Sequence, residues 1–210
     1  MADAACIVYT NDVCLKLQKK VFPQRASKMY FIETPFAFCE DTKENTEYSV
    51  GYFGSYSKTV RDIRPLYSLL SKAEYKSIII GNGDIHIESS GNLGVLPRVP
   101  VDEISKYESK TDILICLCNK QSKGKDTGAI PGKAYHYGAT TKRVLVVDAS
   151  PAVKEFLSSY GRYTFADNNE ESIKCAINEL LTAENKEVTS MQEVMPERAA
   201  KKLIKIINEN

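Results

Sequence analysis

The chain has 210 residues, 43% hydrophobic and 26% charged, which is the balance of a globular protein and rules out disorder as its main state. Twenty-eight Lys and Arg against 27 Asp and Glu leave a formal charge of +1, so no whole-chain field holds polyanions and no nucleic-acid partner is expected. The longest apolar runs, such as Ile78 to Ile80 and Val144 to Val147, fall far short of the roughly 20 residues of a membrane span, so no transmembrane segment is expected. Residues Met1 to Cys6 lack the charged start and apolar stretch of a secretory signal. The expected location is the cytoplasm, with the inner face of the membrane as an alternative.

Apolar runs of a few residues alternate with helical patterns, the signal for parallel strands joined by crossover helices in an α/β, Rossmann-like sheet. Cys6 to Tyr9 is the first strand candidate, Asn11 the cap of a helix through Lys20, and Met29 to Ile32 the next strand. The first forty residues are too few to bury a sheet alone. The polar stretch between Cys39 and Tyr48 reads as a linker, which divides the chain into residues 1–45 and 46–210. Tyr48 to Phe53 is a strand ending at Gly54. A helix pattern follows from about Thr59 to Ala73, but Pro65 is tolerated only within a first turn, which moves the start toward Arg64.

Further strands are expected at Ser77 to Ile80, Leu93 to Leu96, Ile113 to Leu117, Arg143 to Val147 and Tyr163 to Ala166. Helices are expected from Asp102 to Glu108, from Pro131 to Thr140 with the proline near its first position, after Ser150-Pro151, and from Glu170 to Leu181. Cys118 to Ile130, with Lys120, Lys123 and Lys125, reads as a long loop of the kind that is functional or mobile. The last helix, about Pro196 to Asn208, carries a broad apolar stripe of Ala199, Ala200, Leu203, Ile204, Ile206 and Ile207 that is expected to dock on a core.

Six cysteines form no Cys-x-x-Cys pair and only His86 and His136 could assist them, so no metal site is expected. Cys116 and Cys118 alternate with Ile115 and Leu117 as packed strand residues. Three places put glycine or a helix start after a strand, at the edge where open α/β sheets bind ligands. The first is Gly51-Tyr52-Phe53-Gly54-Ser55 with Arg61 beyond it. There Gly54 lets the backbone approach a ligand, and Arg61 offers a fork of donors to phosphate oxygens; the alternative is a strand-ending turn beside a solvated basic face. The second, Gly81-Asn82-Gly83-Asp84, reads as a tight turn.

The third is Ile130-Pro131-Gly132-Lys133. Unpaired N–H groups at a helix start together with the charge of Lys133 suit a diphosphate, and His136 lies one turn on. An exposed lysine and a packed histidine are the alternatives. No Walker A motif and no Gly-x-Ser-x-Gly elbow occurs, and covalent catalysis has no candidate.

The order Gly51-Tyr52-Phe53-Gly54, Ile78-Ile79-Ile80-Gly81, Asp112-Ile113-Leu114-Ile115, then Pro131-Gly132-Lys133-Ala134-Tyr135-His136-Tyr137 before Val144 to Val147 resembles the C-terminal half of group 1 glycosyltransferases with the GT-B fold. The resemblance covers residues 48 to 208. It implies a nucleotide-sugar donor as substrate with no further cofactor, and a glycan, polysaccharide or lipid-linked acceptor. It also implies a missing N-terminal acceptor domain, of which residues 1–45 would be a remnant, leaving this piece inactive alone.

The same resemblance puts a diphosphate-binding basic residue, in the helix after the first strand, at Arg61. It puts Ser55 where the family often has arginine, and Gly128 and His136 where it often has two glutamates, the later one gripping the ribose. Arg98-Val99-Pro100 matches the base-contacting loop loosely. Retention at the sugar carbon and independence of metal are implied, with Lys133 and Arg61 as the catalytic cations. A non-catalytic α/β module for a protein partner or anionic metabolite is the alternative, and a small-molecule enzyme on a flavodoxin-like sheet is a further one.

Overall fold

A computed structural model describes residues 4–36, 46–120, 129–183 and 191–209. In chain order the elements are β1 (Ile7–Tyr9), α1 (Asp12–Val21), β2 (Met29–Phe31), β3 (Tyr48–Phe53), α2 (Arg64–Leu70), β4 (Ser77–Ile80), β5 (Leu93–Leu96), α3 (Val101–Ser109), β6 (Thr111–Leu117), α4 (Gly132–Gly138), β7 (Arg143–Val147), α5 (Pro151–Ser158), β8 (Tyr163–Ala166), α6 (Glu170–Thr182) and α7 (Pro196–Asn208). Local chemistry fixes several starts. Asn11 accepts from the amides of Val13 and Cys14, Ser150 from Val153, and Asn169 from Ser172, so each caps its helix.

Six strands form one wholly parallel sheet in the order β5-β4-β3-β6-β7-β8. Helices cover both faces, which is why the strands are apolar throughout instead of alternating with polar residues. Ile113, Ile115 and Leu117 of β6 join Leu66 and Leu70 of α2 and Ile173 and Ile177 of α6 on one face. Leu114, Cys116 and Cys118 point the other way, toward Tyr135 and Tyr137 of α4 and Phe156 of α5. Both cysteines are buried as expected.

β1 and β2 pair in parallel as a separate two-stranded sheet. Glu33, just after β2, is buried and pairs with Lys202 of α7 at 2.6 Å. The Tyr135 hydroxyl donates to the Thr10 carbonyl at 2.7 Å, and Phe31 meets Phe156 edge to face. The expected linker coincides largely with residues 37–45, which lie outside the described residues, as do Lys123, Lys125 and Gly128. No helix among the described residues is long and apolar enough to cross a membrane.

Four details differ from the sequence reading. Helix α2 begins at Arg64 with Pro65 in its first turn, as the proline requires, so Arg61 lies before the helix and not in it, in a turn closed by pairing of Ser57 with Arg61. Pro131 caps α4 from outside instead of opening it, and α4 stops at Gly138. Only Ala199 and Ile206 of α7 are buried, while Leu203, Ile204 and Ile207 stay exposed, because the small two-stranded sheet meets just part of the stripe. Gly81 and Gly83 do not make a tight turn. They carry the parallel pairing of β3 and β4 past the strand ends, with Gly54 N–H donating to Ile80 O and Tyr56 N–H to Asn82 O.

Candidate ligand cleft

Strand order reverses between β3 and β6, and the loops leaving their carboxyl ends part on opposite sides, opening a crevice there. A cleft of about 500 Å³ occupies that place. Its wall brings together Gly54 and Ser55 after β3, Arg61 in the following turn, Arg98 and Val99 before α3, and Pro131, Gly132, Lys133 and His136 at the start of α4. Segments far apart in sequence converge because parallel strands send all their carboxyl ends to one edge of the sheet. His86 is not among them; it is exposed and pairs with Glu88.

Arg61 donates from Nε to Asn119 Oδ1 at 2.7 Å. Among the described residues this is the one side-chain hydrogen bond of the guanidinium. Gly54 faces Lys133 across the cleft: a Cβ on Gly54 would lie 3.7 Å from the Lys133 Cε and 3.3 Å from the Tyr52 hydroxyl. Glycine thus keeps open the space beside the ammonium. The Tyr52 hydroxyl donates to the Ser55 carbonyl at 2.7 Å and holds the loop after β3, and burial raises its pKa above the ordinary tyrosine range.

Two lining residues carry no signal in the sequence that marks them. Phe36, from the segment after β2, meets the His136 ring at 5.6 Å between centroids. Glu108, on α3, is only 6% exposed and receives Lys133 and His136. Its Oε2 lies 2.8 Å from His136 Nε2 and its Oε1 3.4 Å from Lys133 Nζ. Lys133 Nζ also lies 3.3 Å from the Tyr137 hydroxyl and over the Tyr137 ring. Burial by itself would raise the Glu108 carboxyl pKa, but the hydrogen bond from His136 and the charge of Lys133 outweigh it and hold the group below the usual glutamate range. Val101 and Ile104, two turns and one turn before Glu108, add an apolar lip beside Val99. The cleft therefore sets the apolar side chains of Val99, Val101 and Ile104 beside the cations Arg61, Arg98 and Lys133, a combination that suits a ligand with a flat ring and an anionic tail. Among the described residues no group of three or more His, Cys, Asp or Glu is placed to hold a metal ion.

The sequence matches no family model and no curated protein. Solved structures do share its fold. A chain of the crystal structure of accessory secretory proteins 1, 2 and 3 of Streptococcus pneumoniae superposes with a TM-score of 0.58 at 15% identity, over 98% of this chain and 43% of that one. The DNA-modifying enzyme β-glucosyltransferase, solved with and without its substrate uridine diphosphoglucose, superposes with a TM-score of 0.53 at 14% identity, over 93% of this chain and 62% of that one. The fold is that of a GT-B half. The chain spans less than two thirds of the length of either of these two chains.

Proposed function

We propose that this chain is the donor-binding half of a glycosyltransferase, holding a nucleoside-diphosphate sugar in the cleft for transfer to a glycan, polysaccharide or lipid-linked acceptor. The observation that carries the reading is the convergence of Arg61, Lys133 and Gly54 at the point where strand order reverses. In this reading the diphosphate lies beside Gly54, between Arg61 and Lys133, and the base lies toward Val99, Val101 and Ile104. The two cations stabilise the charge that grows on the departing diphosphate, an electrostatic contribution that requires neither a covalent intermediate nor a metal. Because α4 has only seven residues, side-chain charge takes precedence over the helix start.

Residues 1–45 belong, on this reading, to the acceptor-binding half of a larger enzyme, and the chain alone transfers no sugar. The outcome is retention, as the family resemblance implies. The reading is tested by thermal unfolding with millimolar UDP, GDP, ADP, dTDP and CMP in parallel. A ligand at about 100 times its dissociation constant adds about 2.7 kcal/mol. One nucleotide should raise the midpoint, and Lys133→Ala should abolish the rise; no rise with any of them overturns the reading for this chain.

One observation favours a second reading, a non-catalytic module for an anionic metabolite or protein partner. Glu108 already engages Lys133 and His136, which lowers the positive charge left for a diphosphate. Under that reading Lys133→Ala leaves partner binding intact.

A further inference from the structure

Among the described residues, Phe36 is the one cleft-lining residue that precedes β3 in the chain. Its N–H donates to the Val194 carbonyl at 3.1 Å, which ties its backbone to the short helical turn before α7. Its ring meets the His136 imidazole at 61° with centroids 5.6 Å apart, so the two rings touch without stacking. A Cβ on Gly132 would lie 3.7 Å from the Phe36 Cζ, which puts the tip of the ring beside the first residue of α4. The ring is half-buried, packed against the apolar cluster to which α4 belongs, and lines the cleft with what remains open.

The neighbours of this ring in the cleft are polar. Lys133 directly follows Gly132, and His136 is paired with Glu108. A phosphate held by Lys133 brings no apolar surface to set against a benzene ring. The base, on the proposed reading, already has Val99, Val101 and Ile104, which belong to α3 and the segment before it. Phe36 is thus an apolar surface that neither part of a nucleoside diphosphate uses. The group bonded to the terminal phosphate of a nucleotide sugar fits it: a pyranose carries its hydroxyls on the rim and shows C–H groups on its faces, which pack on an aromatic ring as other apolar surfaces do.

We infer that Phe36 is a specificity-determining residue whose ring receives a C–H face of the pyranose carried on the terminal phosphate of the donor. The inference rests on the proposed nucleotide-sugar site and extends it beyond the diphosphate. It makes the unit before β3 part of the donor site, through a side chain anchored to the turn before α7 and to the start of α4.

The test is calorimetry on the full chain with UDP, GDP and ADP and with UDP-glucose, UDP-N-acetylglucosamine, GDP-mannose and ADP-glucose. Phe36→Ala should weaken the sugar ester that binds by about fivefold, the size of an aromatic contact, and leave its free diphosphate unchanged. Phe36→Leu, which keeps apolar volume against Gly132 and removes the ring, should do the same if Phe36→Ala fails to fold, and Phe36→Tyr should bind like the parent. Saturation of the protein's aromatic protons should pass to the pyranose C–H protons of the bound ester in the parent and not in Phe36→Leu. Equal losses for ester and free diphosphate would show that the ring only braces α4 and overturn the inference, as would no loss for either. A loss confined to an added free glycoside, with the ester unaffected, would assign the ring to an acceptor and also overturn it. Each of these outcomes leaves the proposed function standing. No binding of any nucleotide or ester overturns both.

Discussion

Gly81 and Gly54 stand so close that a Cβ on Gly81 would lie 1.9 Å from the Gly54 carbonyl oxygen. That oxygen belongs to the backbone, in the loop that lines the cleft, and cannot swing aside as a flexible side chain would. Gly81→Ala should therefore destabilise the fold by about 3 kcal/mol, the upper range of overpacking, and shift the urea midpoint accordingly. Gly54→Ala is the contrast: its Cβ meets only side-chain atoms, at 3.3 Å and beyond. It should melt close to the parent yet bind nucleotide more weakly, because the added methyl occupies the space beside Lys133.

Arg61 separates binding from folding. Its guanidinium is anchored by one exposed hydrogen bond to Asn119, so Arg61→Ala should change stability by no more than about 0.5 kcal/mol. Nucleotide affinity measured by calorimetry should nevertheless fall at least about tenfold, since a charge-assisted hydrogen bond to phosphate is worth about 1.5–3 kcal/mol. An unchanged affinity would remove Arg61 from the site.

Acid should release the constraint on α4. The Glu108 carboxyl sits below its ordinary range, so the folded state binds that proton less tightly than the unfolded chain does. Its stabilisation is complete above the unfolded glutamate pKa of about 4.3 and is lost as pH falls through the lower folded value. The stability gap between the parent and Glu108→Gln should be present at about pH 5 and shrink as the pH falls below the unfolded glutamate pKa. Urea titrations across that interval would read it, and a gap that persists into stronger acid would mean that the ionised pair contributes nothing.

Arg162 holds the far end of α4. Its guanidinium donates to the carbonyls of Gly138, Thr140 and Lys142 at 2.9, 2.8 and 2.7 Å, closing the turn between α4 and β7. Arg162→Ala leaves these partly buried acceptors short of donors and should cost about 3 kcal/mol. Because α4 also carries Lys133 and His136, the variant should lose nucleotide affinity with no contact to the ligand.

Most strands and helices were legible because each is signalled within its own few residues. The apolar runs at Tyr48 to Phe53, Ser77 to Ile80 and Arg143 to Val147 became β3, β4 and β7 with the expected bounds, and Asn11 and Ser150 mark helix starts by side chains that bond the nearby backbone. The cleft candidates were legible for a related reason: a glycine or helix start directly after a parallel strand lies at the carboxyl edge whatever the order of the strands.

Other features depend on distance in space alone. Glu108 looks in the sequence like one more acidic residue near a helix end, and its role arises only because α3 and α4 pack against the same sheet edge. Phe36 reaches His136 from a segment before β3, and the exposure of Leu203, Ile204 and Ile207 depends on how little of α7 the small sheet covers. Gly81 and Gly83 gave a local signal that was read as a turn, whereas the neighbouring strand's backbone set their role. The sequence by itself determined which segments are strands, which are helices and where bases follow a strand, because backbone preference and burial period act over a few residues. Only the tertiary structure decided that one buried carboxylate receives both Lys133 and His136, because that pairing needs two helices brought together across more than twenty residues of chain.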